Sequence, residues 1–381
     1  MYSQDEINSA VAAGALKQEA ADALRAHVAA MRQSPVTDEE QFRLVTSFND
    51  IFVAIGVVIM LVAAGAIGQA IAGNIFPLPA NFNWETATQA DFTEYSKAQF
   101  VRQTMQMMLA GVLIAATAWP LAEFFTRKRR MALPSIILLI AFVVAVFAAV
   151  AGGSIGLLGK NEEMGRIGAV MLALSGVIAA GAAWFHWRRF MVPITVAAGA
   201  GAAAVTAIAL IFAIIGPNNL DNGENIVLGL VFLAGLAIFA FAMRWDVSDR
   251  ERKTRRSDVA FWLHLLAAPM IAHPIFYALG VTRGDAIGVG AAVGVLAVYV
   301  LFGLVALAID RRALLVSALA YVLAALTFLF DRFGAVELNV ALTALVIGSA
   351  LLSLSAFWTP IRQAIVGGLP GGVQSRLPVA A

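Results

Sequence analysis

Cysteine is absent from the 381 residues, which removes disulfides, thiolate metal sites, cysteine-ligated iron–sulfur clusters and covalently attached haem. Charge is scarce. Asp, Glu, Lys and Arg make up 13% of the chain, against about a quarter in a soluble domain. The net charge is only +2, and no basic patch interleaves with aromatics, so no nucleic-acid partner is expected. The four histidines show no His-x-x-x-His or Glu-x-x-His spacing. Bound haem b would need two facing imidazoles from different helices, and only His186 and His264 share a leaflet. A phosphate loop, a Gly-x-Ser-x-Gly turn and a His-Glu-x-x-His helix are missing too. No metal or cofactor is expected, and no nucleophile–base pair points to an enzyme.

Apolar residues are abundant instead, at 61% of the chain. A spanning helix needs about 20 mostly apolar residues to cross a hydrocarbon core of roughly 30 Å. Ten such runs occur, near residues 51–73, 103–125, 131–155, 166–186, 191–215, 226–244, 259–281, 285–309, 313–330 and 336–357. They predict an all-α fold, a polytopic transmembrane helix bundle of about ten spans whose main partner is the lipid bilayer. Met1 to Asp50 has no apolar core near its start, so the first run is expected to act as an uncleaved signal anchor.

Lys and Arg alternate from link to link. One set of links, with the tail, holds Arg127, Lys128, Arg129, Arg130, Arg188, Arg189, Arg244, Arg250, Arg252, Lys253, Arg255, Arg256, Arg311, Arg312, Arg362 and Arg376. The other set holds Lys97, Arg102, Lys160, Arg166, Arg283 and Arg332. The bias repeats at every crossing and predicts cytoplasmic N- and C-termini. Three segments follow: residues 1–47 as a small cytosolic helical hairpin with its linker, 48–358 as the bundle, and 359–381 as a cytosolic tail. The Ala- and Gly-rich, Lys-poor usage looks like that of a bacterial inner-membrane protein, an impression of composition.

In the arm, Ser3 with Glu6 forms a capping-box pattern. A short helix to about Ala13 is expected, broken at Gly14, then an amphipathic helix from about Lys17 to Met31 ended by Pro35. The hairpin either leans on the bundle or docks a cytosolic protein. The stretch Ile7 to Ala21, with Gly14-Ala15-Leu16 followed by Gln18-Glu19-Ala20, resembles the helical hairpin that opens a domain-of-unknown-function family of predicted bacterial multi-span membrane proteins. The tail, from Phe357-Trp358-Thr359-Pro360 through Leu369-Pro370 to Leu377-Pro378, is similar to endings in that group. The resemblance implies a multi-span membrane protein without an assigned activity and supplies no site residues.

The seventh span carries the most unusual residues, His264, Pro269, His273 and Pro274. Ionisable groups at membrane depth usually face a bundle interior or a cavity, and prolines leave carbonyls without their helical donors. These four are the candidates for a cavity or pathway. Nine residues at about 100° each place the two histidines on opposite faces of a straight helix, so only a kink at Pro269 could bring them to one cavity. The plainer reading is two neutral imidazoles bonded to neighbouring helices. Asp50 and Glu123 rank second: Asp50 as the cap of the first span, Glu123 as the i,i+4 partner of Arg127. Asp258 is expected to cap the seventh helix and His186 to sit in an interfacial aromatic belt. Gly199, Gly201, Gly284/Gly288 and Gly290/Gly294 mark expected sites of close helix approach. Residues 74–102 read as an outward loop anchored by Trp84, then a helix rising early towards the second span.

The leading functional class is a secondary transporter or channel for a small solute, built as two five-span halves of opposite topology. In that scheme Pro120 of the second span corresponds to Pro274 of the seventh, although no sequence similarity joins the halves. The alternative is a membrane scaffold or sensor whose hairpin contacts a cytosolic protein.

Overall fold

The computed structural model describes residues 4–24, 48–80, 82–158, 164–216, 223–252, 254–281, 288–333 and 338–379. The chain divides into two units, Met1–Leu44 and Val45–Ala381.

In the first unit a helix covers Gln4–Ala12. Gly14 takes a left-handed φ of 70°, and the amides of Ala15 and Leu16 both return to the Ala10 carbonyl, a glycine-based helix stop. A second helix occupies residues 18–24. Ser3, His27, Val28, Met31 and Pro35 lie outside the described residues, and with them the expected capping box and the end of the second helix.

Among the described residues the second unit holds ten helices long and apolar enough to cross a membrane: Phe48–Ile75, Gln89–Lys128, Ala132–Leu158, Gly165–Phe190, Ile194–Ile215, Gly223–Ser248, Arg255–Ala278, Val289–Ile309, Ala313–Arg332 and Asn339–Ala356. No strand occurs among the described residues. This is an all-α polytopic bundle, and the chain is an integral membrane protein. The second span is much the longest at 40 residues, about 60 Å at 1.5 Å per residue, so it rises well beyond the hydrocarbon. Its N-terminus is fixed by Thr88, which exchanges hydrogen bonds with Asp91 in a capping box. Phe82, Trp84, Phe92 and Tyr95 cluster beside that start, with ring centroids 4.3–6.0 Å apart. Pro120 has no N–H to give the ladder, and three residues later the helix widens into a π-helical turn over Glu123–Lys128.

Close packing does rest on glycine, mostly on glycines other than those expected; of the expected ones Gly294 is tight, where a Cβ would stand 3.2 Å from the Leu279 side chain. A Cβ on Gly68 would stand 2.6 Å from the Ala110 nitrogen, and one on Gly111 2.5 Å from the Ala145 oxygen. These weld the first three spans backbone to backbone. Gly235 brings the sixth span onto Met270 and Ile271 of the seventh, where a Cβ would fall 2.9 Å from that of Met270. Around Gly199 and Gly201, by contrast, the nearest side-chain atoms lie at 3.6 and 3.7 Å, and Gly288 and Gly290 meet nothing within 4 Å. Gly284 lies outside the described residues. A GxxxG spacing allows close approach only where its face meets a neighbouring helix, and spacing alone carries no such direction.

The four links richest in arginine share a device. Each contains one non-glycine residue in the left-handed region: Arg130, Met191, Arg252 and Asp310, with φ between 53° and 56°. Such a residue turns the chain sharply at a helix end, so links of three residues suffice at Met191 to Pro193 and Asp310 to Arg312. The seventh span lies deepest, with 56% of its apolar window buried against 11–39% for the others. Val259, Leu263, Ala267, Ala268, Ala272 and Phe276 are fully enclosed.

Candidate functional site: a buried ionic network at the basic end

The arginine-rich links also contain acids, and two of these acids organise the site. Asp246 lies in the last turn of the sixth span and is 1% exposed. One of its oxygens meets the His264 Nε2 at 2.9 Å, and the other accepts from the Arg311 Nη2 at 2.7 Å. The same Nη2 donates to the carbonyl and the hydroxyl of Ser257 at 3.1 and 3.2 Å. His264 and Arg311 are 2% and 3% exposed. Because a carboxylate only accepts, His264 donates from Nε2. Its Nδ1 and the Arg311 Nε then find no hydrogen-bond partner among the described residues.

Asp310, next in sequence to Arg311, centres a second group. Its backbone is left-handed, with φ 56°, and its carboxylate accepts from Arg252 at 2.7 Å and from the Trp358 indole at 2.7 Å. The Arg362 Nε stands 3.6 Å from the same carboxylate. Arg252 also caps the eighth span by donating to the carbonyls of Ile309 and Asp310. Arg312 lies over the Trp358 ring at 4.8 Å. Asp310 and Arg311 thus fuse the two groups at one three-residue link.

The segment after the tenth span closes the arrangement. A helix covers Trp358–Gly367 and a short one Gly371–Gln374. Arg362, 1% exposed, donates to the carbonyls of Pro378 and Val379 at 2.8 and 3.1 Å. Burial pushes its guanidinium down from the usual value, and Asp310 pulls it back up. Arg250 donates to Leu377 and Gln374 at 2.8 and 3.2 Å. Leu377 itself is buried against Ile309 and Val366. Taking ions out of water costs several kcal/mol each, and the paired carboxylates and carbonyls offset that cost here.

Charge counting assigned the sixth–seventh link, the eighth–ninth link and the tail to one side, and all three meet in this network. A smaller contact joins the other two basic links: Glu123 binds Arg189 through two hydrogen bonds of 2.6 and 3.0 Å. It also reaches Arg127 at 3.4 Å, the pair its spacing predicts.

Of the candidates from the sequence, only His264 enters the network. His273 lies on the exposed surface, its Nδ1 2.7 Å from the Tyr321 hydroxyl of the ninth span. The two histidines therefore have different surroundings, one buried on Asp246 and one exposed on Tyr321, and the helix runs unbroken through both prolines. Pro269 is exposed, while Pro274 is buried and helps line a pocket of about 290 Å³ with Asn225, Gly229 and Tyr277. Asp50 is buried inside the first turn of its helix rather than ahead of it. Asp258 does not cap the seventh helix. Thr254 does, accepting from the Arg256 amide while Asp249 holds its hydroxyl and amide. His186 sits among aromatics as expected, against Trp119, Phe142 and Phe190, and is buried there at 1% exposure.

Sequence reasoning missed Asp246, Arg252, Asp310, Arg311, Trp358 and Arg362. The usable signal was an acid placed among arginines at a helix end, where the positive-inside count treats it as background. The sixth and seventh spans thus carry three levels: the Asp246–His264 contact at the basic end, the Gly235 seam, and the pocket at Pro274. Among the described residues no three His, Asp or Glu side chains are placed to hold a metal. Comparison with protein-family models, curated proteins and solved structures returns no match for this chain.

Proposed function

We propose that the protein is a proton-coupled secondary transporter of a small solute in the inner membrane of a bacterium. Its arginine-rich side and both ends of the bundle face the cytoplasm, and the sixth and seventh spans are the moving pair. The observation that carries this reading is the Asp246–His264–Arg311 triad, enclosed where those two spans meet. Buried ionisable groups in membrane helices are costly and mark ion or proton pathways. Arg311 and a proton compete for the same carboxylate. With Asp246 ionised, Arg311 is held and the link closes. With Asp246 protonated, Arg311 is released and the other arrangement is favoured, which is the two-state element that coupling requires. Pro269 and Pro274 each remove a rung from the helix between the triad and the outer pocket, softening it where a rocking motion would bend.

The test uses protein reconstituted in vesicles containing a pH-sensitive dye. A proton gradient is imposed and amino acids, sugars and carboxylic acids are added singly. At least one solute should accelerate collapse of the gradient, and Asp246→Asn should abolish that effect while inserting normally. If the native protein shows no solute-dependent proton movement, the reading fails. The scaffold or sensor reading is favoured by a different observation, the tail pinned by Arg250 and Arg362, which ties three junctions into one block. In that reading the N-terminal hairpin is the contact for a cytosolic protein.

A further inference from the structure

The alanine- and glycine-rich run of the fifth span, expected to be a seam, instead floors a cleft. The cleft is lined by Ala198, Gly201 and Ala202 with Val143 and Phe147 of the third span and Trp262 and Leu266 of the seventh, and holds about 500 Å³. Among the described residues that line it, the Trp262 indole is the only polar side-chain group. The cleft starts at Ile194 and reaches Val205 on the fifth span, eleven residues or about 16 Å. That is roughly one leaflet of a hydrocarbon core about 30 Å thick, and it is the leaflet on the arginine-rich side. Arg255 and Arg256 are exposed at the start of the seventh span, the second of them six residues or about 9 Å before Trp262. Arg188 is exposed just ahead of the fifth span and lies 5.3 Å over the Trp184 ring. The acids nearby in sequence are Glu251, exposed, Asp249, which accepts from Thr254, and Asp258, partly buried, against the three arginines of the rim, while Glu123 is held by Arg189.

An apolar slot one leaflet deep beneath a cationic rim has the shape and polarity of a single lipid. We infer that this cleft is a binding site for one anionic phospholipid, with an acyl chain against Ala198, Gly201 and Trp262 and its phosphate at Arg255, Arg256 and Arg188. The inference is independent of the transport reading. An acyl chain fits better than a protein helix because about 500 Å³ lies in the range of a small-molecule pocket. The chain's burial supplies the affinity and the arginines the headgroup preference.

Trp262 lines the site and reports on it. The protein is placed in neutral phosphatidylcholine vesicles containing a few per cent of phosphatidylglycerol brominated on its acyl chains. Quenching of Trp262 is taken as the difference between the native protein and Trp262→Phe. Brominated phosphatidylglycerol should quench at least roughly fivefold more than its mole fraction, the preference expected of one basic residue at an anionic headgroup. Ala198→Phe should remove the excess by filling the slot. Arg255→Gln with Arg256→Gln, which leaves the slot open, should lower it towards the level of brominated phosphatidylcholine. Quenching in proportion to mole fraction means an ordinary lipid shell and overturns the site. An equal excess with brominated phosphatidylcholine overturns the anionic headgroup, and an excess with brominated free fatty acid alone overturns the phospholipid.

Discussion

Replacing Asp246 with Leu tests whether the network is the ionic lock its geometry implies. The native carboxylate accepts two hydrogen bonds, from Arg311 at 2.7 Å and His264 at 2.9 Å. Bonds to charged groups contribute about 1.5–3 kcal/mol each, so their loss amounts to roughly 3–6 kcal/mol. Independently, removing one partner of a buried ion pair costs about 3–5 kcal/mol, because the other charge stays buried without compensation. The two estimates agree, and Asp246→Leu should destabilise by about 3–5 kcal/mol. Arg311→Met alone should cost a similar amount, since it leaves the carboxylate stranded. The double variant removes both charges and should recover to within about 1–2 kcal/mol of the native protein, as hydrophobic replacement of buried pairs does. Unfolding in mixed micelles with rising dodecyl sulfate, followed by tryptophan fluorescence, measures all three. If the single losses add to within about 0.5 kcal/mol in the double variant, the groups are not coupled and the lock does not exist. Added salt should change the single-variant losses little, because the pair is shielded from mobile ions.

Gly235→Leu should destabilise by about 1–3 kcal/mol through overpacking, whereas Gly199→Ala should shift stability by less than about 1 kcal/mol, in either direction. The same unfolding titration checks both, and equal losses would contradict the assignment of the sixth–seventh seam. Reporter fusions after residues 222 and 253 should locate to opposite sides of the membrane, with 253 in the cytoplasm. Both on one side would remove the threading.

The ten spans were legible because each depends on one property, a run of apolar residues long enough for the bilayer, which survives any error of a few residues. Starts and ends within the chain were less so. The second span begins at Gln89, well before its apolar run, as the helix expected to rise early within residues 74–102, but the Thr88–Asp91 capping box that sets the start was not read from the sequence. The network was not legible. Arg252, Arg311 and Arg362 have the same composition-level meaning as Arg129 or Arg256, and only the fold decides which of them is enclosed. Asp246 and Asp310 read as minor counter-charges until the links meet. His264 was found because an imidazole inside an apolar helix is rare, yet its partner lies 18 residues earlier on another helix, a separation no helical period reveals. The small-residue stripes misled for a related reason: they describe what a helix face permits, and the neighbouring helix decides whether a seam or a cleft results.

The tail strap also sets an order of events during synthesis. Arg250 binds the carbonyl of Leu377, 127 residues later in the chain. A ribosome adding 5–20 residues per second needs roughly 6–25 s to cover that distance. When this interval begins the sixth span is complete, and the seventh to tenth are made during it, but Arg250 has no strap to hold and Asp310, once made, has no Trp358. The nascent bundle therefore carries hydrated charges at one surface until residues 374–379 emerge. Their burial waits on the strap, and a ribosome stalled before residue 374 leaves an inserted protein whose unpaired charges are open to any protease surveying that face.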